Sequence, residues 1–335
     1  MRTTLLPTLD QRASGYVAWM VSSPFPVRPF RFGVQLDAAI AGRSWADTAR
    51  HIEALGYAVT TMPDHFTDQL APMPALQAVL DATTTLRAGA LVFDNDYKHP
   101  VVLAKELATM DVLSEGRVEI GLGAGWMASD YEQAGIAYDR PGVRIDRFVE
   151  GLAVIKAAMG PEPFDFAGEH YTVAGYSGMP KPVQAPCPPV LIGGGGKRVL
   201  TIAARHADIV GVNSNMHAGV VGPDAFASMS AEAVAEKVAI VADAAGDRIG
   251  DIEMNIRTFF VKVTDDRDGA LDRISRAIDV EPSMLAASPF ALVGTPAEIV
   301  DLLLARRSEY GFSYVIVGGG DIDSFAPVVA ELAGE

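Results

Sequence analysis

The chain has a single cysteine, Cys187, in 335 residues, which excludes an intrachain disulfide framework and any cysteine-based metal cluster. Positive charge is scarce: 27 Lys and Arg against 42 Asp and Glu leave a formal net charge of −15. A surface that acidic repels nucleic acid and anionic membranes, so neither is expected as a partner. A small anionic ligand stays compatible where helix N-termini and local Lys or Arg offset the field. Long apolar runs are also missing. The N-terminal patch at residues 16–21 is six residues long, whereas a secretory core needs roughly 7–15 and a membrane span about 20, so a cytoplasmic location is expected. The six histidines show no H-E-x-x-H or other ligand spacing, so no metal site is expected, and no G-x-S-x-G elbow supports serine hydrolase chemistry.

What remains is a globular composition, 49% hydrophobic and 21% charged, long enough for two ordinary domains or one large α/β barrel. Short apolar runs at 32–36, 58–62, 87–93, 118–122, 189–193, 208–212, 253–263 and 314–317 read as strands. Amphipathic stretches at 45–55, 74–82, 101–113, 144–159, 197–206, 231–245, 296–309 and 324–332 read as the helices between them. Eight strands, each followed by a helix, predict a closed parallel (β/α)8 TIM barrel with small insertions. A doubly wound sheet would carry G-x-G-x-x-G after its first strand, and here that strand runs into Asp37-Ala38-Ala39-Ile40. The insertions are a small hairpin around Gly168 and a helical segment within 265–289. Residues 1–30 read as a proline-bearing N-terminal extension, strap or tail, and 31–335 as one barrel domain.

In such a barrel the chemistry lies at the C-terminal strand ends, which makes the segments after each strand the candidates. Gly193-Gly194-Gly195-Gly196-Lys197-Arg198 precedes a helix and would offer backbone N–H groups and a helix dipole to a phosphate; a tight ligand-free turn is the alternative. Gly121, Gly123 and Gly125 flatten one face of a strand end, for a planar ring or to relieve crowding. Asp64-His65 puts an imidazole at a strand mouth, able to bond a ring carbonyl or move a proton. Its alternative is a turn cap followed by a packed histidine. Ser114-Glu115-Gly116-Arg117 reads as a helix end, with Gly116 in the left-handed conformation.

These segments occur in an order that resembles a known family. Residues 31–37, Met62-Pro63-Asp64-His65-Phe66, residues 89–100, residues 111–117 running into Gly121 to Trp126, residues 189–196 followed by Ala207-Asp208-Ile209-Val210, and Gly294-Thr295-Pro296-Ala297-Glu298 are similar to the bacterial luciferase-like monooxygenase superfamily. The resemblance runs from about Pro29 to the C-terminus. It is greatest to the coenzyme F420-dependent oxidoreductases, which often carry an Asp-His pair after the second strand.

The resemblance implies F420, or alternatively FMN, in the barrel mouth with its ring against strands two to four, and a non-proline cis peptide near Val92-Phe93 behind the ring. It implies hydride transfer between the deazaflavin and an unidentified small organic substrate. His65 would polarise the ring or transfer a proton and Asp64 would orient the site. Asn95, Ala124, Gly125 and Trp126 would contact the cofactor, and Gly194, Gly195, Gly196 and Lys197 would hold its phosphate. A homodimer is expected on the same ground. One departure is Trp126, which stands where the sugar-phosphate dehydrogenase branch has a glutamate proton donor, and this disfavours glucose 6-phosphate as substrate. An FMN-dependent monooxygenase served by a separate reductase, or a non-catalytic flavin-binding protein, are the other readings.

Overall fold

Eight short runs, buried along most of their length, form strands: β1 (Arg31–Gln35), β2 (Val59–Met62), β3 (Arg87–Ala90), β4 (Val118–Gly123), β5 (Val190–Gly194), β6 (Ile209–Val212), β7 (Glu253–Arg257) and β8 (Phe312–Gly318). Each pairs in parallel with the next, and β8 pairs with β1 through Gly33 opposite Ile316, so the sheet closes on itself. The (β/α)8 barrel expected from the alternation is therefore the fold. The computed structural model describes residues 23–335. The apolar patch at 16–21 and most of the extension expected over 1–30 lie outside the described residues.

Eight helices pack on the outside: α1 (Trp45–Ala54), α2 (Pro72–Ala82), α3 (Pro100–Leu113), α4 (Pro141–Met159), α5 (Lys197–His206), α6 (Ala231–Ala245), α7 (Pro296–Tyr310) and α8 (Ile322–Leu332). Their starts follow local chemistry. Ser44 caps α1 through the Asp47 N–H, and Thr295 with Glu298 forms a capping box on α7. The main core, including Phe32, Leu76, Ile120, Ile192 and Phe325, lies between strands and helices. A second layer of Val59, Leu191, Ile209, Tyr314 and Ile316 fills the barrel interior.

An ion network closes the N-terminal end of the barrel. Arg31 donates to Glu253 through Nε at 2.8 Å and Nη2 at 2.7 Å, and to Glu119 at 2.5 Å, while Arg87 donates to the same Glu119 oxygen at 2.9 Å. The Arg31 guanidinium also lies 3.6 Å from the centre of the Tyr314 ring. Burial would push the Glu119 carboxyl up, but Arg31 and Arg87 outweigh it and hold it below its ordinary range. Across this end runs the described part of the N-terminal segment as a strap: Ser23 N–H donates to Ser308 O at 2.7 Å, and Phe25 is buried.

Two expected strands are redrawn. The run read as one strand at 253–263 breaks after Arg257; its second half, Phe260–Val263, pairs in parallel with Ala291–Gly294 outside the barrel. No glycine or proline marks that break, because Thr258, Phe259 and Phe260 all favour strand. The run at 87–93 breaks after Ala90, and Phe93–Asp94 pairs separately with β4. The non-proline cis peptide between them is Leu91–Val92, one bond before the position expected. A short helix, Ala128–Ala134, follows β4 where no element was expected. Gly116 is left-handed, at φ 89°, as its helix-ending role requires.

Candidate functional site

The C-terminal ends of the strands surround a cavity of about 580 Å³. Asp64-His65 from the β2 end, Gly123 to Trp126 from β4 and glycines 193–196 from β5 all line it. Val92 projects among the glycines. A Cβ on Gly123 would meet its Cγ2 at 2.5 Å and one on Gly193 its Cγ1 at 3.3 Å, so the missing side chains make room for Val92. The crowding explanation of the glycine alternation thus has a definite neighbour. Phe93 and Asn95 are buried behind the cavity wall, Asn95 donating from Nδ2 to the Tyr171 hydroxyl at 3.1 Å.

His65 and Asp64, adjacent in sequence, face different partners. His65 Nδ1 lies 2.6 Å from Asp130 Oδ2, and its ring meets Trp126 edge-on at 5.5 Å between centroids. Asp130 is buried on the short helix after β4, where it also accepts from Tyr97 OH at 3.3 Å. A carboxylate at Nδ1 fixes the tautomer with that nitrogen protonated and leaves Nε2 to act on a ligand. Among the described residues Nε2 has no partner. Asp64 instead accepts the Asp94 backbone N–H at 3.2 Å, holding the chain just beyond the cis peptide. Asp130 was not foreseen, because it lies 65 positions from His65 with no local motif.

From the wall inward the carboxylates continue, with Asp94 at the cavity and Asp96 behind it. Asp94 accepts from the Tyr131 hydroxyl at 2.8 Å and from the Asp96 N–H at 2.9 Å, and Arg147 grips Asp96 with Nε at 2.7 Å and Nη2 at 3.0 Å. Burial, aided by the charges of Asp96 and Asp64, pushes the Asp94 carboxyl up to about 7. Burial also raises Asp64. A raised acid stabilises the fold in its neutral form: that stability is full below the ordinary value near 3.9 and is lost as pH rises through about 7. The stability difference between Asp94→Asn and the wild type should therefore grow by roughly 2–3 kcal/mol in favour of the variant between about pH 5 and pH 8.5. Urea unfolding at a series of pH values reads this; a pH-independent difference would remove Asp94 as the titrating group.

On the β5 side, Gly196 is the N-cap of α5 and no side chain caps that helix, so the first-turn N–H groups are available to an anion. Gly195 is needed for another reason. A Cβ there would clash with the backbone of Ser214 and Asn213, so only glycine lets these loops meet. Gly196 has open space around the same position and an ordinary backbone at φ −93°. The Lys197 side chain is exposed and borders a neighbouring groove with Arg198 and Arg205 rather than the cavity itself. Buried Lys237 ties the loop between, donating to Asn213 O at 2.9 Å and Ser228 O at 2.5 Å.

A closed (β/α)8 barrel with a glycine-lined mouth and an uncapped helix N-terminus after β5 defines the class, one that carries its site at the C-terminal ends of its strands. The sequence profile of the luciferase-like monooxygenase family matches residues 27–313, and the chain belongs to that family. It is similar to the FMNH(2)-dependent dimethylsulfone monooxygenase of Pseudomonas putida, 29% identical over 143 residues that cover 43% of this chain and 39% of that protein. Its counterpart from Pseudomonas fluorescens (strain Pf0-1) is 25% identical over 72% of this chain and 70% of its own length. Among solved structures, the coenzyme F420 dependent tetrahydromethanopterin reductase from Methanopyrus kandleri superposes with a TM-score of 0.71 at 17% identity, covering 91% of this chain and 99% of that one. That last likeness is one of fold. Among the described residues no helix is long and apolar enough to cross a membrane, and no three acidic, histidine or cysteine side chains are grouped to hold a metal.

Proposed function

We propose that the protein is an F420-dependent oxidoreductase that moves a hydride between the deazaflavin and a small organic substrate. The observation that carries this reading is the His65–Asp130 pair, 2.6 Å apart at the cavity wall. Hydride transfer to or from a carbonyl carbon requires a proton at the oxygen, and an imidazole oriented by a buried carboxylate can hold or release one at Nε2. When bound, F420 supplies the hydride donor or acceptor; the chain supplies position, exclusion of water and the proton partner. The residues present fit such a group. The uncapped α5 N-terminus and glycines 193–196 suit its phosphate, and the face from Val92 to Trp126 suits a ring.

The names of the two Pseudomonas relatives favour a second reading, an FMN-dependent monooxygenase. Equilibrium titration of the cofactor-free protein with F420 and with FMN, followed by fluorescence, separates them. At least about tenfold tighter F420 binding is expected, and the reverse order would replace the first reading with the second. Saturable F420 binding with no ring oxidation or reduction across a panel of carbonyl compounds and alcohols would leave a binding protein.

Gly196→Asp probes the phosphate end. The position is open and has N-cap geometry, so the new carboxylate caps α5 and keeps the barrel folded. It also occupies the anion's place with like charge. Losing one charge-assisted hydrogen bond, about 1.5–3 kcal/mol, lowers cofactor affinity by roughly ten- to a hundredfold. Unchanged affinity in the folded variant would make the glycine run a turn and nothing more.

A further inference from the structure

The mouth has a cation that neither the phosphate end nor the His65 pair employs. Arg257 is the last residue of β7, and it lines both the main cavity and an adjoining one of about 520 Å³ between the β1 and β8 ends. Its Nε donates to Gln35 Oε1 at 2.7 Å, and Gln35 Nε2 in turn donates to the Leu91 carbonyl at 3.2 Å. Its Nη1 donates to the Thr258 carbonyl. The guanidinium is thus oriented entirely by neutral groups. Among the described residues Nη2 has no acceptor and the side chain makes no ion pair; Asp321 acts on it only through its field.

The other arginine of the mouth, Arg144, differs. Its donors are taken up by the carbonyls of Ala124 and Gly125 at 3.3 Å and of Asp139, and it lies 4.3 Å from the Tyr138 ring centre. Burial lowers Arg257 to about 10, which leaves it charged at neutral pH. A half-buried cation whose one nearby counter-charge, Asp321, makes no ion pair with it gains when a closer anion arrives. Gly318 leaves space between the guanidinium and Asp321: a Cβ there would sit 3.2 Å from Arg257 Nη2 and 3.2 Å from Asp321 Oδ2. Beside it the cavity wall is apolar, built by Phe226, Met229, Phe259, Phe260 and Ile278.

We propose that Arg257 anchors a compact oxyanion, a carboxylate or sulfonate, at one end of the substrate, with the substrate's apolar body along the Phe259–Phe260 wall. This rests on the reading of the cavity as the substrate-bearing mouth and holds for either cofactor. It is separate from the proposed phosphate end at β5, which lies two strands from β7 and four strands from β1 around the barrel.

The test is calorimetric titration of the cofactor-free protein with hexanoate, hexane-1-sulfonate and hexan-1-ol, probes that share one apolar body. Both anions should bind at least about tenfold more tightly than the alcohol. Arg257→Met should bring them down to the alcohol's affinity, while Gly196→Asp leaves them unchanged within about threefold. Anions no tighter than the alcohol in the wild type, or a preference that survives Arg257→Met, overturn the proposal. So does a preference lost in Gly196→Asp, which would put the anion at α5. If circular dichroism shows Arg257→Met unfolded, Arg257→Lys serves instead, with a reduced but persistent preference expected and an unaltered one overturning. Parallel F420 and FMN titrations keep the two readings apart: cofactor binding without anion preference sinks this proposal alone, and anion preference without cofactor binding sinks only the cofactor reading.

Discussion

His65→Ala is expected to lower turnover by about 10²–10⁴-fold, the usual range for removing a general acid or base. Cofactor affinity should change far less, because the proposed phosphate contacts belong to β5 and α5 while His65 follows β2. The same reasoning extends to its partner. Asp130→Asn keeps the shape but no longer enforces a proton on Nδ1, so turnover should fall at least about tenfold with cofactor affinity again little altered. Single-turnover absorbance of the cofactor ring against separate binding titrations reads both quantities. A loss confined to affinity would make His65 a positioning residue. No change in either would mean that its contacts with Asp130 and Trp126 are packing alone.

Glu119→Gln is expected to produce the largest loss of stability. The carboxylate is buried at 5% side-chain exposure and takes Arg31 at 2.5 Å and Arg87 at 2.9 Å. Removing one partner of a buried pair costs about 3–5 kcal/mol. The lower end applies here, because Arg31 keeps Glu253 and Arg87 keeps the carbonyls of Gly116 and Val118. About 3 kcal/mol corresponds, for a chain of 335 residues, to a fall of roughly 4 °C in Tm. Glu119 has a lowered value in the folded state, so its contribution is present above the unfolded value near 4.3 and is lost as pH falls through the folded one. The gap between variant and wild type should therefore narrow in acid. A gap that persists unchanged to low pH would attribute the loss to packing rather than charge.

The barrel was legible because its signal is periodic and repeated: eight apolar runs separated by amphipathic stretches survive errors of a residue or two at each end. β1 begins at Arg31 rather than 32, and α4 at Pro141 rather than 144, with no effect on closure. The breaks were harder to see. Leu91-Val92 and Thr258-Phe259 interrupt strands with residues that favour strands, and tertiary contacts decide there against local preference.

The site followed the same division. Glycines and the Asp64-His65 pair announce themselves because their residue types are unusual at strand ends. Asp130 and Arg257 do not, since one needs the short helix after β4 and the other needs the correct end of β7. Reading β7 as ending at Arg257 would have put a charged residue at a strand mouth, which is itself a signal.

The segment from Thr258 to Thr295 leaves the barrel at β7 and returns at α7 with its own two-stranded sheet and its own small core of Ala270, Leu271, Leu285, Ala291 and Val293. Yet three of its residues, Phe259, Phe260 and Ile278, form cavity wall. Such an insert behaves as a cassette. Its interior can be rewritten, or a longer version spliced in, without disturbing the register of any barrel strand, and the shape of one side of the mouth changes with it. A lineage can thereby alter what fits in the mouth while inheriting the glycine-lined β5 end and the ionic floor intact.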